Sequence, residues 1–160
     1  MKKGPGGFSL IELLIVVAII LIIAAIAIPN LLRSRIAANQ ASAVGSLKAI
    51  QAAEIAYSAT FNAGYTSALG YLGPPSAGAN VTSTSAGLID SVLSAGTKSG
   101  YSFTYTAGAA DAAGKIDTYT ITATPISSAT GTNTYYTDQS GVIRQNSTTT
   151  AGSTDSPIAG

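Results

Sequence analysis

The chain has 160 residues, with 8 basic and 7 acidic side chains and a formal net charge of +1. This length has room for one ordinary domain with an additional element, and the balanced charge offers no basic face of the kind that nucleic-acid binders use. Cys and His are both absent, which excludes disulfides and removes the commonest metal ligand and general base. We therefore expect a protein that is not an enzyme and needs no cofactor.

The first predicted element is a long apolar helix. From Phe8 to Ile28 the chain runs for 21 residues with only two polar side chains, Ser9 and Glu12. As a helix, this segment would span about 31 Å, which matches the hydrocarbon core of a bilayer. The lysines at positions 2 and 3 predict that the short leader stays in the cytoplasm and that the later residues face the other side.

Two ordinary interpretations compete for this segment. A secretory signal peptide would have the same charged start, and Ala25-Ile26-Ala27 offers a cleavage site. The product would be a secreted binding domain that begins at Pro29. A simple membrane anchor would have the same length. Neither accounts for Glu12, because a carboxylate in the centre of a membrane helix costs about 3 kcal/mol and less near its edge.

The stretch Gly6-Gly7-Phe8-Ser9-Leu10-Ile11-Glu12, behind a short basic leader, resembles the processing site of type IV pilins and their relatives. The resemblance is close over about the first sixty residues and looser afterwards. It implies that residues 1–7 are a prepilin leader, that a peptidase cuts between Gly7 and Phe8, and that Phe8 is then N-methylated. It also places Glu12 at the family's acidic position, where we expect it to fix the register of assembled subunits.

The resemblance implies a function and partners as well. The chain would be the structural subunit of a helical homopolymer, a type IV pilus that supports adhesion, motility or surface attachment. The implied partners are a prepilin peptidase and methyltransferase, an assembly ATPase, a membrane platform, and the inner membrane, which would hold the precursor with its head outside the cytoplasm. A pseudopilin of a type II secretion system and a minor pilin remain alternatives.

The second half of the helix is predicted over residues 29–60. The resemblance puts Pro29 at the family's helix-disturbing proline, and helical periodicity resumes after it, which predicts a kink there. Gly45 is a second predicted weak point and kink position of the helix, costing about 1 kcal/mol relative to alanine. An amphipathic stripe should pack on the head. Its predicted members are Ile36, Gln40, Ala43, Leu47, Ile50, Glu54, Tyr57 and Phe61, and Arg35, Asn39, Ser46 and Lys48 are predicted on the opposite face.

The head, residues 61–160, begins with a long connection over 62–100 that contains a short helix around 87–93. Alternating residues then predict an antiparallel sheet over 101–146. Its four predicted strands cover Tyr101–Thr106, Thr118–Thr124, Thr134–Thr137 and Val142–Gln145. The fold class is therefore α+β, and the resemblance implies the type IV pilin fold. The lack of Cys departs from pilins that close their C-terminal loop with a disulfide.

The tail, residues 147–160, is rich in Ser and Thr and has no apolar pattern. We expect it to be solvated and partly disordered. The resemblance also implies possible O-linked glycosylation at Ser153 or Ser156. Asn80 and Asn146 match the N-glycosylation pattern, which is common by chance.

The remaining acids predict no metal site. They stand singly among turn residues, where Asp favours local backbone bonds. Asp111 and Asp117 come closest to a calcium loop, but two acids without further ligands are too few for one.

Overall fold

The computed structural model describes residues 7–158. The leader prediction therefore falls on residues that, apart from Gly7, lie outside the described part. The chain divides into two units, Met1–Arg35 and Ile36–Gly160.

The first helix, α1, covers Leu10–Phe61. Neither Pro29 nor Gly45 ends it, although a proline inside a helix can also terminate it. Around the proline, two side chains bond to backbone carbonyls one turn earlier. The Asn30 amide donates to the carbonyl of Ile26 at 3.0 Å and the Ser34 hydroxyl to the carbonyl of Asn30 at 3.0 Å. Such back-bonding is typical of bent helices, and the kink itself stays a prediction.

The head contains short elements before its sheet. A 3₁₀ turn covers Leu69–Leu72, and the helix α2 covers Ser91–Ser94. The predicted short helix thus lies at the end of its predicted range. Asp90 caps α2, since its carboxylate accepts hydrogen bonds from the backbone N–H groups of Val92 and Leu93.

The sheet is antiparallel, with its strands in sequence order β1-β2-β3-β4-β5. The α+β prediction is confirmed, and the sheet has one strand more than the roughly four predicted. The extra strand, β1, is only two residues long and pairs with the start of the next strand. The strands are β1 (Thr97–Lys98), β2 (Tyr101–Ala107), β3 (Tyr119–Pro125), β4 (Thr134–Asp138) and β5 (Arg144–Asn146).

One face of the sheet and one side of α1 share a single core. Alternate strand residues are buried, as the period of two predicts. The predicted helical stripe supplies the other layer, and Leu47 and Ile50 within it are fully buried. The core comprises Ala43, Leu47, Ile50, Ala53, Tyr57, Leu69, Leu72, Ala86, Ile89, Leu93, Tyr101, Phe103, Tyr119, Ile121, Ala123, Tyr135 and Ile143.

Two helix residues predicted on the solvent side are covered instead. Ser46 is 5% exposed, and Asn39 is half-buried with its amide donating to the Thr130 carbonyl at 2.9 Å. Each lies one position before a stripe residue, about 100° around the helix. The head therefore covers a wider arc of α1 than the apolar stripe alone. Arg35 and Lys48 are exposed, as predicted.

The described tail residues are mostly exposed, as expected, but the tail is tied to the head by hydrogen bonds and is not the partly disordered end that was predicted. Gln145 N–H donates to the Ser156 carbonyl at 3.0 Å, and Ile158 N–H donates to the Ile143 carbonyl at 2.9 Å. Ala151 is only 3% exposed. The tail is held along β5 by backbone hydrogen bonds, which need no alternation of apolar side chains.

Candidate processing and assembly site

The predicted cleavage site lies in non-helical backbone. Gly7, Phe8 and Ser9 precede the first helical residue, Leu10. The first helical hydrogen bond runs from Leu13 N–H to the Ser9 carbonyl at 3.2 Å. Ser9 is therefore the N-cap of α1, and the peptide bond between Gly7 and Phe8 lies outside the helix.

Glu12 has a partner within its own chain. Its Oε2 accepts a hydrogen bond from the backbone N–H of Ser9 at 2.9 Å. Ser at the N-cap and Glu three residues later form half of a capping box, in which the acid satisfies a free N–H group of the first turn. Sequence reasoning missed this contact, although the spacing Ser-x-x-Glu is its known signal.

The apolar part of α1 is uncovered along its whole length. Every large apolar side chain from Phe8 to Leu32 is exposed, from 45% at Val17 to 78% at Phe8. Soluble monomers rarely expose an apolar surface of this size. By length and composition, α1 can cross a membrane.

The comparisons with known proteins agree with this site. Residues 2–28 match the family model of the prokaryotic N-terminal methylation motif. A stretch of 48 residues, 30% of this chain and 22% of the relative, is 54% identical to the type IV major pilin protein PilA of Myxococcus xanthus. A stretch of 83 residues, 50% of this chain and 63% of the relative, is 46% identical to the type IV wide pilus major component PilA4 of Thermus thermophilus.

The chain is thus similar to type IV major pilins over up to half of its length. It spans about a fifth of the first of these relatives and less than two thirds of the second. No solved structure matches it.

The chain buries a second glutamate, Glu54, in its head. The side chain is fully buried, and both carboxylate oxygens accept hydrogen bonds from Thr66, one from the backbone N–H at 2.9 Å and one from the hydroxyl at 2.6 Å. The Tyr105 hydroxyl donates to the Thr66 carbonyl at 2.9 Å, and burial raises the pKa of Tyr105 above its ordinary value. The carboxylate therefore fixes the loop that leaves α1.

The acids of the loop after β2 form contacts within that loop. Asp111 Oδ1 accepts the backbone N–H groups of Ala113 and Lys115, both at 2.8 Å. Asp117 pairs with the Lys115 ammonium at 2.8 Å, and this pairing raises the lysine pKa. Among residues 7–158, no group of three or more acidic side chains comes together that could hold a metal ion.

The candidate glycosylation sites differ in accessibility. Ser153, Ser156 and Asn80 are exposed. Asn146 is half-buried. Its side-chain N–H donates to Asp155 Oδ1 at 2.8 Å, and its side-chain oxygen Oδ1 accepts the Thr148 N–H at 2.9 Å. A glycan on Asn146 would break this network, so the sequence match there fits the structure poorly.

Proposed function

We propose that this chain is the structural subunit of a bacterial type IV pilus, cleaved between Gly7 and Phe8, N-methylated on Phe8 and polymerised through its N-terminal helix. One observation carries the proposal: a capped helix exposes every large apolar side chain from Leu10 to Leu32. The two relatives, a major pilin and a major component of a wide pilus, support the same function.

Assembly would proceed from the membrane. The apolar half of α1 stores the subunit in the lipid, with the leader on the cytoplasmic side and the head on the other side. Moving this surface from lipid into a bundle of helices gives little hydrophobic gain, because both surroundings are apolar. Helix packing and polar contacts between copies must therefore favour the filament.

Glu12 would supply the polar contact. Cleavage at Gly7 gives Phe8 a positively charged amine, and a carboxylate among apolar helices needs a partner or loses its charge. In a bundle of these helices the amine of another copy is available. One such pair for each copy would fix the axial register, as single buried polar residues do in coiled coils.

The proposed partners follow from this sequence of steps. A prepilin peptidase and methyltransferase would process Phe8, and an ATPase with a membrane platform would drive extraction from the lipid. The finished filament would lie outside the cell and support adhesion, motility or surface attachment. Ser153 and Ser156, which are exposed, are the proposed glycosylation sites.

Mass analysis and N-terminal sequencing of filaments sheared from the cell surface test the proposal. We expect a chain that begins at Phe8 and carries one additional methyl group. A Gly7→Leu variant should keep its leader, remain in the membrane and yield no filaments, whereas Gly45→Leu, which leaves the cleavage site intact, should be processed normally. A mature chain beginning at Pro29 would contradict the proposal, and a short filament confined to the periplasm would indicate a secretion pseudopilin instead.

A further inference from the structure

The two carboxylate oxygens of Glu12 are not equivalent. Oε2 accepts the Ser9 N–H of the same chain at 2.9 Å, while Oε1 accepts no hydrogen bond from any residue between 7 and 158. The side chain is exposed, so water can reach the free oxygen before assembly. One oxygen of the carboxylate is thus fixed and the other is open.

We propose that the Ser9 backbone N–H is a positioning group for pilus assembly: it holds Oε2 of Glu12 so that Oε1 is presented to the Phe8 amine of another copy. Ser9 acts through Glu12 and does not contact the amine. The inference rests on the proposed function and assigns to Ser9 a role in the register contact.

Two physical arguments support this role. A free glutamate side chain loses rotational freedom when it forms a contact, and a hydrogen bond that already orders it removes much of that cost from the assembly step. Once the helix is surrounded by other apolar helices, both carboxylate oxygens also need partners, because an unpaired buried charge is strongly unfavourable. The Ser9 N–H satisfies one oxygen, and an incoming amine satisfies the other.

Three variants distinguish the effect of the Ser9–Glu12 hydrogen bond from the effect of the Glu12 charge. Ser9→Pro removes the N–H donor and keeps the Glu12 charge, since proline has no backbone N–H. Ser9→Ala is the matched control, because it changes the same side chain and keeps the N–H. Glu12→Gln keeps an oxygen that can cap Ser9, as Gln does in capping boxes, but it has no charge and cannot form an ion pair with an amine.

The first readout is the yield of sheared filaments relative to the processed chain in the membrane. We expect Ser9→Ala to assemble as the parent does. Ser9→Pro and Glu12→Gln should each lower the filament yield about tenfold or more. This is the loss expected when one hydrogen bond to a charged group is removed. Filament yield from Ser9→Pro equal to that from Ser9→Ala would overturn the inference.

The second readout needs no variant and detects the contact itself. Filaments assembled from a mixture of copies with ¹³C-glutamate and copies with ¹⁵N-phenylalanine would show, by solid-state NMR, a contact between a carboxylate and an α-amine of different copies. The chain has only two glutamates, Glu12 and Glu54, and buried Glu54 is an internal control. A second sample with ¹³C-glutamate and ¹⁵N-serine in the same copy should show the Glu12–Ser9 contact retained in the filament.

The outcomes distinguish this inference from the proposed function. If the Glu12–Phe8 contact is present and the Glu12–Ser9 contact is lost on assembly, the inference is wrong and the filament function stands. Both contacts on one carboxylate support the inference, even if Ser9→Pro is poorly cleaved. If the parent chain forms no filaments, the proposed function is wrong, and the inference that rests on it is wrong as well.

Discussion

The two halves of α1 differ in where their apolar side chains find contacts. Between Ala43 and Tyr57, the stripe residues are buried in a core shared with the sheet of the same chain. Between Leu10 and Leu32, every large apolar side chain is exposed. One helix therefore contains a half whose partners lie within the chain and a half whose partners must come from outside it. Substitutions in the two halves should have opposite consequences for folding and for assembly.

The largest expected difference is between two leucines. Leu47→Ala removes a fully buried side chain and should lower the free energy of unfolding of the head by about 2–5 kcal/mol. Leu21, which is 64% exposed, is the matched control. Leu21→Ala should leave head stability unchanged within about 0.5 kcal/mol. Denaturant titration of the detergent-solubilised chain, followed by tyrosine fluorescence, measures both, and equal effects would contradict the comparison.

The two glutamates offer the second test. Glu54→Ala leaves the N–H and hydroxyl of Thr66 without their buried acceptors and should destabilise the head by about 3 kcal/mol. Glu12→Ala should not change head stability, but it should abolish filaments on the cell surface. Unfolding curves and filament counts by electron microscopy check the two effects. Normal filament yield from Glu12→Ala would disprove the register role.

The loop after α1 gives a third test. Gly64 has a φ of +76°, and a Cβ there would collide with the backbone carbonyl of Ile116. Gly64→Ala should therefore destabilise the head by about 2–3 kcal/mol, from left-handed strain and the collision together. Gly78 has a φ of +81° and open space around a Cβ, so Gly78→Ala should cost only the strain, about 1 kcal/mol. Similar unfolding midpoints for the two variants would show that the collision does not occur.

Alkaline pH should weaken the head. Burial raises the pKa of Tyr101 to about 12, above the ordinary value near 10. As the pH rises, Tyr101 therefore loses its hydroxyl proton in the unfolded chain before it does so in the folded chain. Its contribution to the free energy of unfolding is present below about pH 10 and is lost as the pH rises towards 12. The denaturant midpoint should decrease as the pH is raised from 9 to 11.5, and it should decrease less steeply in Tyr101→Phe. The slope should not vanish, because burial also raises the pKa of Tyr119.

Gly45 should give the smallest effect. It lies on the exposed side of α1, and nothing approaches within 4 Å of a Cβ built there. Gly45→Ala should stabilise the helix by about 0.5–1 kcal/mol, which a small rise in the denaturant midpoint would show. A loss of stability would mean that the helix needs the glycine, as the predicted kink at this position implies.

Much of the fold could be predicted from local patterns. The alternation of Tyr101, Phe103 and Tyr105 with polar residues predicts β2 because the period of a strand is two. The last strand was predicted to start two residues too early, since Val142 and Ile143 lie in the connection that precedes β5 at Arg144. The strand β1 was missed because two residues are too short to show a period.

The rest depends on contacts between distant residues. Ser46 is buried because the head reaches around the helix, and its own sequence neighbourhood does not indicate this. The order of the tail comes from contacts such as Ala151 N–H with the Thr134 hydroxyl at 2.9 Å, which join residues far apart in the chain. At the candidate site, the motif indicated Gly7, Phe8 and Glu12, whereas the Ser9 contact was missed although the Ser-x-x-Glu spacing signals it.

The central claim is that other copies cover the exposed half of α1 in the filament. Because the chain has no cysteine, single introduced thiols can test this claim directly. Single variants Leu21→Cys and Ala112→Cys place one thiol in the apolar half and one on an exposed loop of the head. In detergent-free sheared filaments, a maleimide should label position 112 readily and position 21 hardly at all. In chains denatured with detergent and urea, both positions should react. Labelling of position 21 in intact filaments at the rate of position 112 would contradict this account.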